Sequence, residues 1–279
     1  MSSPIRDTYT TPFDILPGTT GRRLLLLCDH ASNALPEAYG RLGLPESEFA
    51  RHIAYDIGAA GVTRRLSERL GATAILSGFS RLLIDPNRGP DDPTLVMRLS
   101  DGAIIPDNAT IGADEVATRL RLFHDPYHQA IAAWLDETLA LGEVPVILSV
   151  HSYTHAWKGV ARRWQAALLW DKDPRLAAPL ISALEAEGLT VGDNEPYDGA
   201  LENDTMYRHA TLRGLPHALI EIRQDLISSD AGQEEWAARL ERVLVSILRE
   251  PDMAVIRHYG SRAGGGRRTE ADEVAEQNP

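Results

Sequence analysis

The chain has 279 residues, 43% of them hydrophobic, with 40 acidic against 28 basic side chains and a net charge of −12. No apolar run reaches the about 18 residues of a transmembrane helix, and the start, "MSSPIRDTYTTPFD", lacks the charged-then-apolar layout of a signal peptide. The negative charge argues against non-specific binding to nucleic acid or an anionic membrane, and the single cysteine, Cys28, leaves no internal disulfide and suits a reducing, cytoplasmic setting.

In chain order, "RRLLLLCD" reads as a first strand; its unbroken apolarity predicts burial on both faces, as in a helix-covered sheet. "SEFARHIAYDIGAAGVTRRLSERLG" predicts a helix capped by Ser47 and ended by Gly71, with Phe49, Ile53, Ile57, Val62, Leu66 and Leu70 on one side. "ATAILSGF" and "RLLIDP" read as short strands, and Pro90 to Gly112 as loop. "ADEVATRLRLFHDPYHQAIAAWLDETLALG" is a long helical pattern that Pro126 should kink or split, because proline removes a backbone donor and clashes with the preceding turn. "VPVILSVHSY" and "QAALLWD" are strands, "DPRLAAPLISALEAEG" a helix capped by Asp173, and "GDNEPYDGALEND" a loop before a short helix near Thr205 to Leu212. "HALIEIRQD" is a strand with a glutamate inside an apolar run, and "SSDAGQEEWAARLERVLVSILRE" a final amphipathic helix. The alternation of strands and helices places the chain in the α/β class: a single domain over residues 1–258 with a mixed, mostly parallel sheet and helices on both faces. Residues 259–279, rich in Gly, Arg and Glu, read as a disordered tail.

Three strands present polar groups where an open α/β sheet binds ligands, at or near its carboxyl ends: His30, His151 and Glu221. Two strand-end histidines are what a shared metal site needs, since catalytic zinc takes three protein ligands and keeps a position for water. Each histidine alone also has an ordinary structural reading. An ionised glutamate between Ile220 and Ile222 must face a cavity, pair with an arginine such as Arg223, or act chemically. "SRLLIDPNR" packs Arg81, Asp85, Asn87 and Arg88 behind a strand; an arginine fork suits a carboxylate ligand, while Asp-Pro-Asn is also a good turn by itself. Cys28, inside its apolar run, reads as a buried and inert thiol. His124 and His128, four apart in "HDPYH", read as outer contacts of a site or plain surface, and His155 as exposed. There is no G-x-S-x-G elbow, P-loop or dinucleotide fingerprint.

Taken together, "CDHASNALP", "AYDIGA", "SRLLIDPNR", "HDPYH", "SVHSY" and "ALIEIRQD" resemble the N-formylglutamate amidohydrolase family of zinc hydrolases, from Leu24 to Leu248. That family is similar in fold to zinc carboxypeptidases and to the aspartoacylase and succinylglutamate desuccinylase group. The resemblance implies a zinc-carboxypeptidase-like fold and one zinc ion. It implies His30 and His151 as metal ligands, with Asn33 where the wider superfamily places a glutamate ligand. An amide oxygen is a poorer zinc ligand than a carboxylate, so Asp56 and His124 stand beside Asn33 as third-ligand candidates. It further implies Asn87 and Arg88 as the grip on a substrate carboxylate, Arg81 as the group that polarises the scissile carbonyl, Glu221 as general base, and His209 as a substrate contact. The function implied is hydrolysis of the N-formyl or short N-acyl amide of an amino acid such as N-formylglutamate, a small-molecule partner. The alternative, which Asn33 motivates, is a non-catalytic protein that binds a metal or small molecule on the same fold.

Overall fold

The computed structural model describes residues 11–263. Seven strands form one sheet: β1 Phe13–Leu16, β2 Leu24–Cys28, β3 Thr73–Ser77, β4 Val146–Tyr153, β5 Ala166–Leu169, β6 Val191–Asp193 and β7 His217–Arg223. Their order is β1-β3-β2-β4-β7-β5-β6. β1 with β3 and β5 with β7 are antiparallel, and the other neighbours are parallel.

The continuous apolar runs do report two-sided burial. Along β2, Leu24, Leu26 and Cys28 join one core cluster, while Leu25 and Leu27 join the other. The first core lies under α1 (Ala59–Leu70), α4 (Pro174–Ala186) and α6 (Asp230–Ile247). The second lies under α3 (Asp125–Ala140), whose Tyr127, Ile131, Trp134 and Leu135 pack there, and under the five-residue α5 (Thr205–His209). Asp173 and Ser229 cap α4 and α6 by accepting from backbone amides, as side-chain oxygens do at helix starts. Among the described residues no helix is long and apolar enough to cross a membrane.

Several sequence-based expectations are corrected. The helix expected from Ser47 starts only at Ala59; residues 46–50 form a 3-10 turn and the chain then bends through Asp56 to Gly58. Gly58 sits at φ +83°, and a Cβ there would lie 2.1 Å from the Ile227 carbonyl oxygen. Only glycine fits, and the helix cannot extend back through it. "RLLIDP" is a string of turns, not a strand. Its apolarity has another cause: Leu82, Leu83 and Ile84 are buried in two small clusters that anchor the loop. The Pro90–Gly112 stretch contains a two-residue hairpin, Leu99–Ser100 with Ala103–Ile104, and one helical turn, Pro106–Ala109. The long helix is α2 (Ala113–Arg119) and α3 joined by a π-helical turn over Leu120–His124. The wider turn absorbs the donor that Pro126 lacks without breaking the rod. β1 and β6, short edge strands, carry no pattern strong enough to read. At the C-terminus Arg262 pairs with Asp198 at 2.7 Å and Asp171 at 3.2 Å. The rest of the tail expected to be disordered, 264–279, lies outside the described residues.

Candidate metal centre and active site

β2 and β4 are adjacent and parallel, so their carboxyl ends carry His30 and His151 to the same sheet edge. The bend before Gly58 adds Asp56, whose backbone amide donates to the His30 carbonyl at 2.9 Å. One donor atom from each of His30, Asp56 and His151 lies within 4.8 Å of the others, and all three side chains are buried. The Nδ1 atoms of His30 and His151 stand 3.3 and 2.9 Å from Asp56 Oδ2.

The outer nitrogens settle the orientation of both rings. His30 Nε2 is 2.7 Å from Asp85 Oδ1, and His151 Nε2 is 2.9 Å from Asp29 Oδ2. Carboxylates accept, so each Nε2 carries a proton donated outward, and each Nδ1 shares its own proton with Asp56; a metal at the centre would take the place of that shared proton, with the outer carboxylates fixing the tautomer in which histidines bind metals. Asp29 is further held by the hydroxyls of Tyr127, Ser149 and Thr205 at 3.0, 2.7 and 2.8 Å. Asp85 receives Arg81 Nε and Nη2 at 3.1 and 2.7 Å. Burial penalises charge on every member. Even so, the Arg81 guanidinium and His30 keep Asp85 well below the usual carboxylate range, and bonds to Asp29 and Asp56 hold His151 well above the usual imidazole range. Two imidazoles and an ionised carboxylate, each tied from behind, suit zinc in donor type and number.

Glu221 stands beside His151 in the β4–β7 register. Burial pushes its carboxyl up to about 7. Its Oε2 is buried without a hydrogen-bond partner. The ordinary ion pair with Arg223 does not form; Arg223 pairs with Asp225 at 2.8 Å instead. Arg81, Asn87 and Arg88 line the same cavity. Among the described residues the Arg88 side chain makes a long 3.5 Å contact to Asp92. Asn87 Oδ1 accepts the Thr205 amide at 3.2 Å, which leaves its Nδ2 as the donor for a ligand. The turn reading of Asp-Pro-Asn also holds, since Asp85 Oδ1 accepts the Asn87 amide at 2.9 Å. One carboxylate therefore shapes the turn and steers His30.

Asn33 and His209 are placed elsewhere. Asn33 is exposed and its Nδ2 donates to the Phe49 carbonyl at 2.7 Å, while the carboxylate that stands with His30 and His151 is that of Asp56. His209 is buried behind the 85–88 loop, its Nε2 2.8 Å from His128 Nδ1. His128 Nε2 donates to the Pro86 carbonyl at 2.9 Å, and His124 Nε2 to the Arg88 carbonyl at 3.0 Å. Carbonyls only accept, so His128 Nδ1 must accept from His209. Burial lowers the pKa of all three rings, to about 3 for His209, which keeps them neutral as this chain requires. These histidines hold the backbone of the loop that presents Asn87 and Arg88. His128→Ala should therefore lose about 1–3 kcal/mol in denaturant unfolding, the cost of orphaning a buried polar group, with zinc loading unchanged. His128→Gln, which keeps a donor, should recover part. Wild-type stability in the alanine variant would release the loop from this support. What sequence reasoning missed was the role of Asp29, beside the end of β2, and of Asp85, in the "SRLLIDPNR" turn: nothing in the sequence pairs them with His151 and His30.

A sequence model of the N-formylglutamate amidohydrolase family matches residues 22–228. Among solved structures, the chain is similar to a gene product of Agrobacterium tumefaciens, at 33% identity and TM-score 0.82, covering 85% of this chain and 95% of that one. It also shares a fold with the N-formylglutamate amidohydrolase of Ralstonia eutropha JMP134, at 22% identity and TM-score 0.63, covering 85% and 96%. The comparison with curated proteins found no match.

Proposed function

The chain belongs to the N-formylglutamate amidohydrolase family, and on that premise we propose that it is a zinc-dependent hydrolase of the N-formyl or short N-acyl amide of an amino acid. The observation that carries the reading is the convergence of His30, Asp56 and His151 in the wall of a cavity that also holds Glu221 and two arginines.

His30 and His151, through Nδ1, and Asp56, through a carboxylate oxygen, would hold the ion. When bound, zinc supplies Lewis acidity, lowering the pKa of a water to about 7 and polarising a carbonyl. Glu221 takes a proton from the attacking water and passes it to the leaving nitrogen; a carboxyl poised at about 7 is matched to both transfers. Arg81, tethered to Asp85, donates to the amide oxygen as that oxygen gains charge. Arg88 and Asn87 hold the substrate carboxylate. The non-catalytic alternative drew on a missing ligand carboxylate at Asn33; the Asp56 carboxylate beside His30 and His151 supports the catalytic reading over it.

The direct test is formate or other acid release from N-acyl amino acids by zinc-loaded protein; no release from any of them would refute the reading. Arg88 adds a test of substrate class. Its contact to the carboxylate exists in ground and transition states alike, so Arg88→Ala should raise KM about 10- to 100-fold and leave kcat nearly unchanged. The matching neutral amide should be little affected, and Arg88→Lys should recover only part, since a point charge cannot reproduce the fork. An equal loss on acid and amide would mean that Arg88 is not the anchor.

A further inference from the structure

The cavity at the metal centre measures about 330 Å³ and does not end at Glu221. Side chains alternate along a strand, so Glu221, Leu219 and His217 share one face of β7, and all three line the cavity. Four residues at about 3.3 Å each separate His217 from Glu221, so the backbone that lines the cavity runs about 13 Å along β7, away from the carboxyl edge of the sheet toward a deep section. The walls between are apolar. Leu169 lies directly opposite Leu219 in the β5–β7 register, and Met206 of α5 also lines the cavity. The space has a cause in the fold: the second core is roofed by the sixteen-residue α3 elsewhere, but α5 has five residues.

The chemistry of this deep section differs from that at the carboxyl edge of the sheet. Both ring nitrogens of His217 are occupied within the fold, by the Leu215 carbonyl at 2.8 Å and the Thr211 hydroxyl at 3.1 Å. The arginines that line the cavity, Arg81 and Arg88, both come from the loop at the carboxyl end of the sheet. The ionisable side chain contributed from the start of α5, Asp204, is acidic. A carboxylate pushed into the deep section would lose its hydration without gaining a cation, whereas an apolar chain would gain by burial.

We propose that this deep section is a subsite for an extended apolar chain, so that the preferred substrate is an N-acyl amino acid bearing a longer aliphatic or aromatic group than N-formylglutamate does. The inference rests on the amidohydrolase reading above. The chain is either the amino-acid side chain or the acyl group, and two substrate series separate these sources.

The experiment measures kcat/KM of zinc-loaded wild-type protein on two sets. One holds the formyl group fixed and runs from alanine through norvaline and norleucine to phenylalanine; the other holds glutamate fixed and lengthens the acyl group from formyl to hexanoyl. One series should climb by roughly fourfold per methylene, the gain expected from burial, and the climbing series identifies which end of the substrate enters. Turnover of N-formylglutamate with no rise in either series would overturn the subsite and leave the amidohydrolase reading intact. No turnover of any member would overturn both. Leu219→Trp, which fills the section, should cost the longest substrate at least about ten times more than the shortest, in line with the loss of several buried methylenes. Met206→Phe narrows it from the helix side if the first variant does not fold. A uniform loss across the series in a folded variant would also overturn the subsite.

Discussion

Asp56→Ala should abolish tight zinc binding while the chain still folds. The carboxylate is the one anionic member of the group, and Oδ2 is the point at which both Nδ1 atoms and the Ser152 amide, at 3.2 Å, converge. Without it two imidazoles remain, one ligand fewer than a catalytic zinc requires. The loss should exceed the about 10- to 100-fold that follows removal of an outer partner, which is the effect expected of Asp29→Asn. Zinc titration reads this directly. Thermal unfolding reads it again: at a free zinc concentration of 100 times Kd the wild type gains about 2.7 kcal/mol over its metal-free form, and Asp56→Ala should gain none. Taking the difference between metal-free and zinc-loaded protein removes the separate cost of orphaning the buried donors. Asn33→Ala should bind zinc like the wild type. Full stoichiometry and affinity in Asp56→Ala would sink the centre as drawn.

Glu221→Gln should retain zinc and lose hydrolysis by about 10²- to 10⁴-fold in kcat, the range general acid–base groups contribute. The glutamine has nearly the same shape, so the cavity wall is preserved. What disappears is a group able to accept and return a proton. Glu221 lies outside the group of metal donors, so its loss should leave zinc stoichiometry unchanged. The same change also removes a buried carboxyl that folding holds at a raised pKa, and with it the cost of keeping that carboxyl ionised at neutral pH. Turnover within about threefold of wild type would remove Glu221 from the chemistry, because a general base worth less than tenfold falls below the usual contribution.

Much of this could be read from the linear sequence. Unbroken apolar runs such as Leu24–Leu27 and Val146–Leu148 meant two buried faces, and therefore a sheet between helix layers. Polar groups at the ends of those runs, His30 and His151, and a glutamate inside one, Glu221, were visible because a charge or donor in such a run has few harmless explanations. Local pattern sufficed there because strand alternation and burial act on neighbouring residues.

Other features depended on contacts between distant parts of the chain. Asp56 sits in a segment whose apolar spacing reads as continuous helix; the carbonyl of Ile227, far along the chain, meets the backbone at Gly58 and forces the bend that presents it. "RLLIDP" has strand composition, yet its leucines and isoleucine serve as anchors for a turn whose carboxylate, Asp85, joins Arg81 to His30. Asn33 matched by position alone, and the loop after β2 turns it outward to Phe49. His209 lay near the right segment, but its partner is His128 on the neighbouring helix. In each case the deciding force is a hydrogen bond or steric limit between residues remote in sequence. Periodicity along the chain was enough to specify the layered α/β architecture and the strand-end groups. Which carboxylate joins the two histidines of the candidate metal site was set by tertiary contacts, because three donors must meet within 4.8 Å and that meeting depends on how the long segment after β2, which carries both His30 and Asp56, folds over His151 in β4.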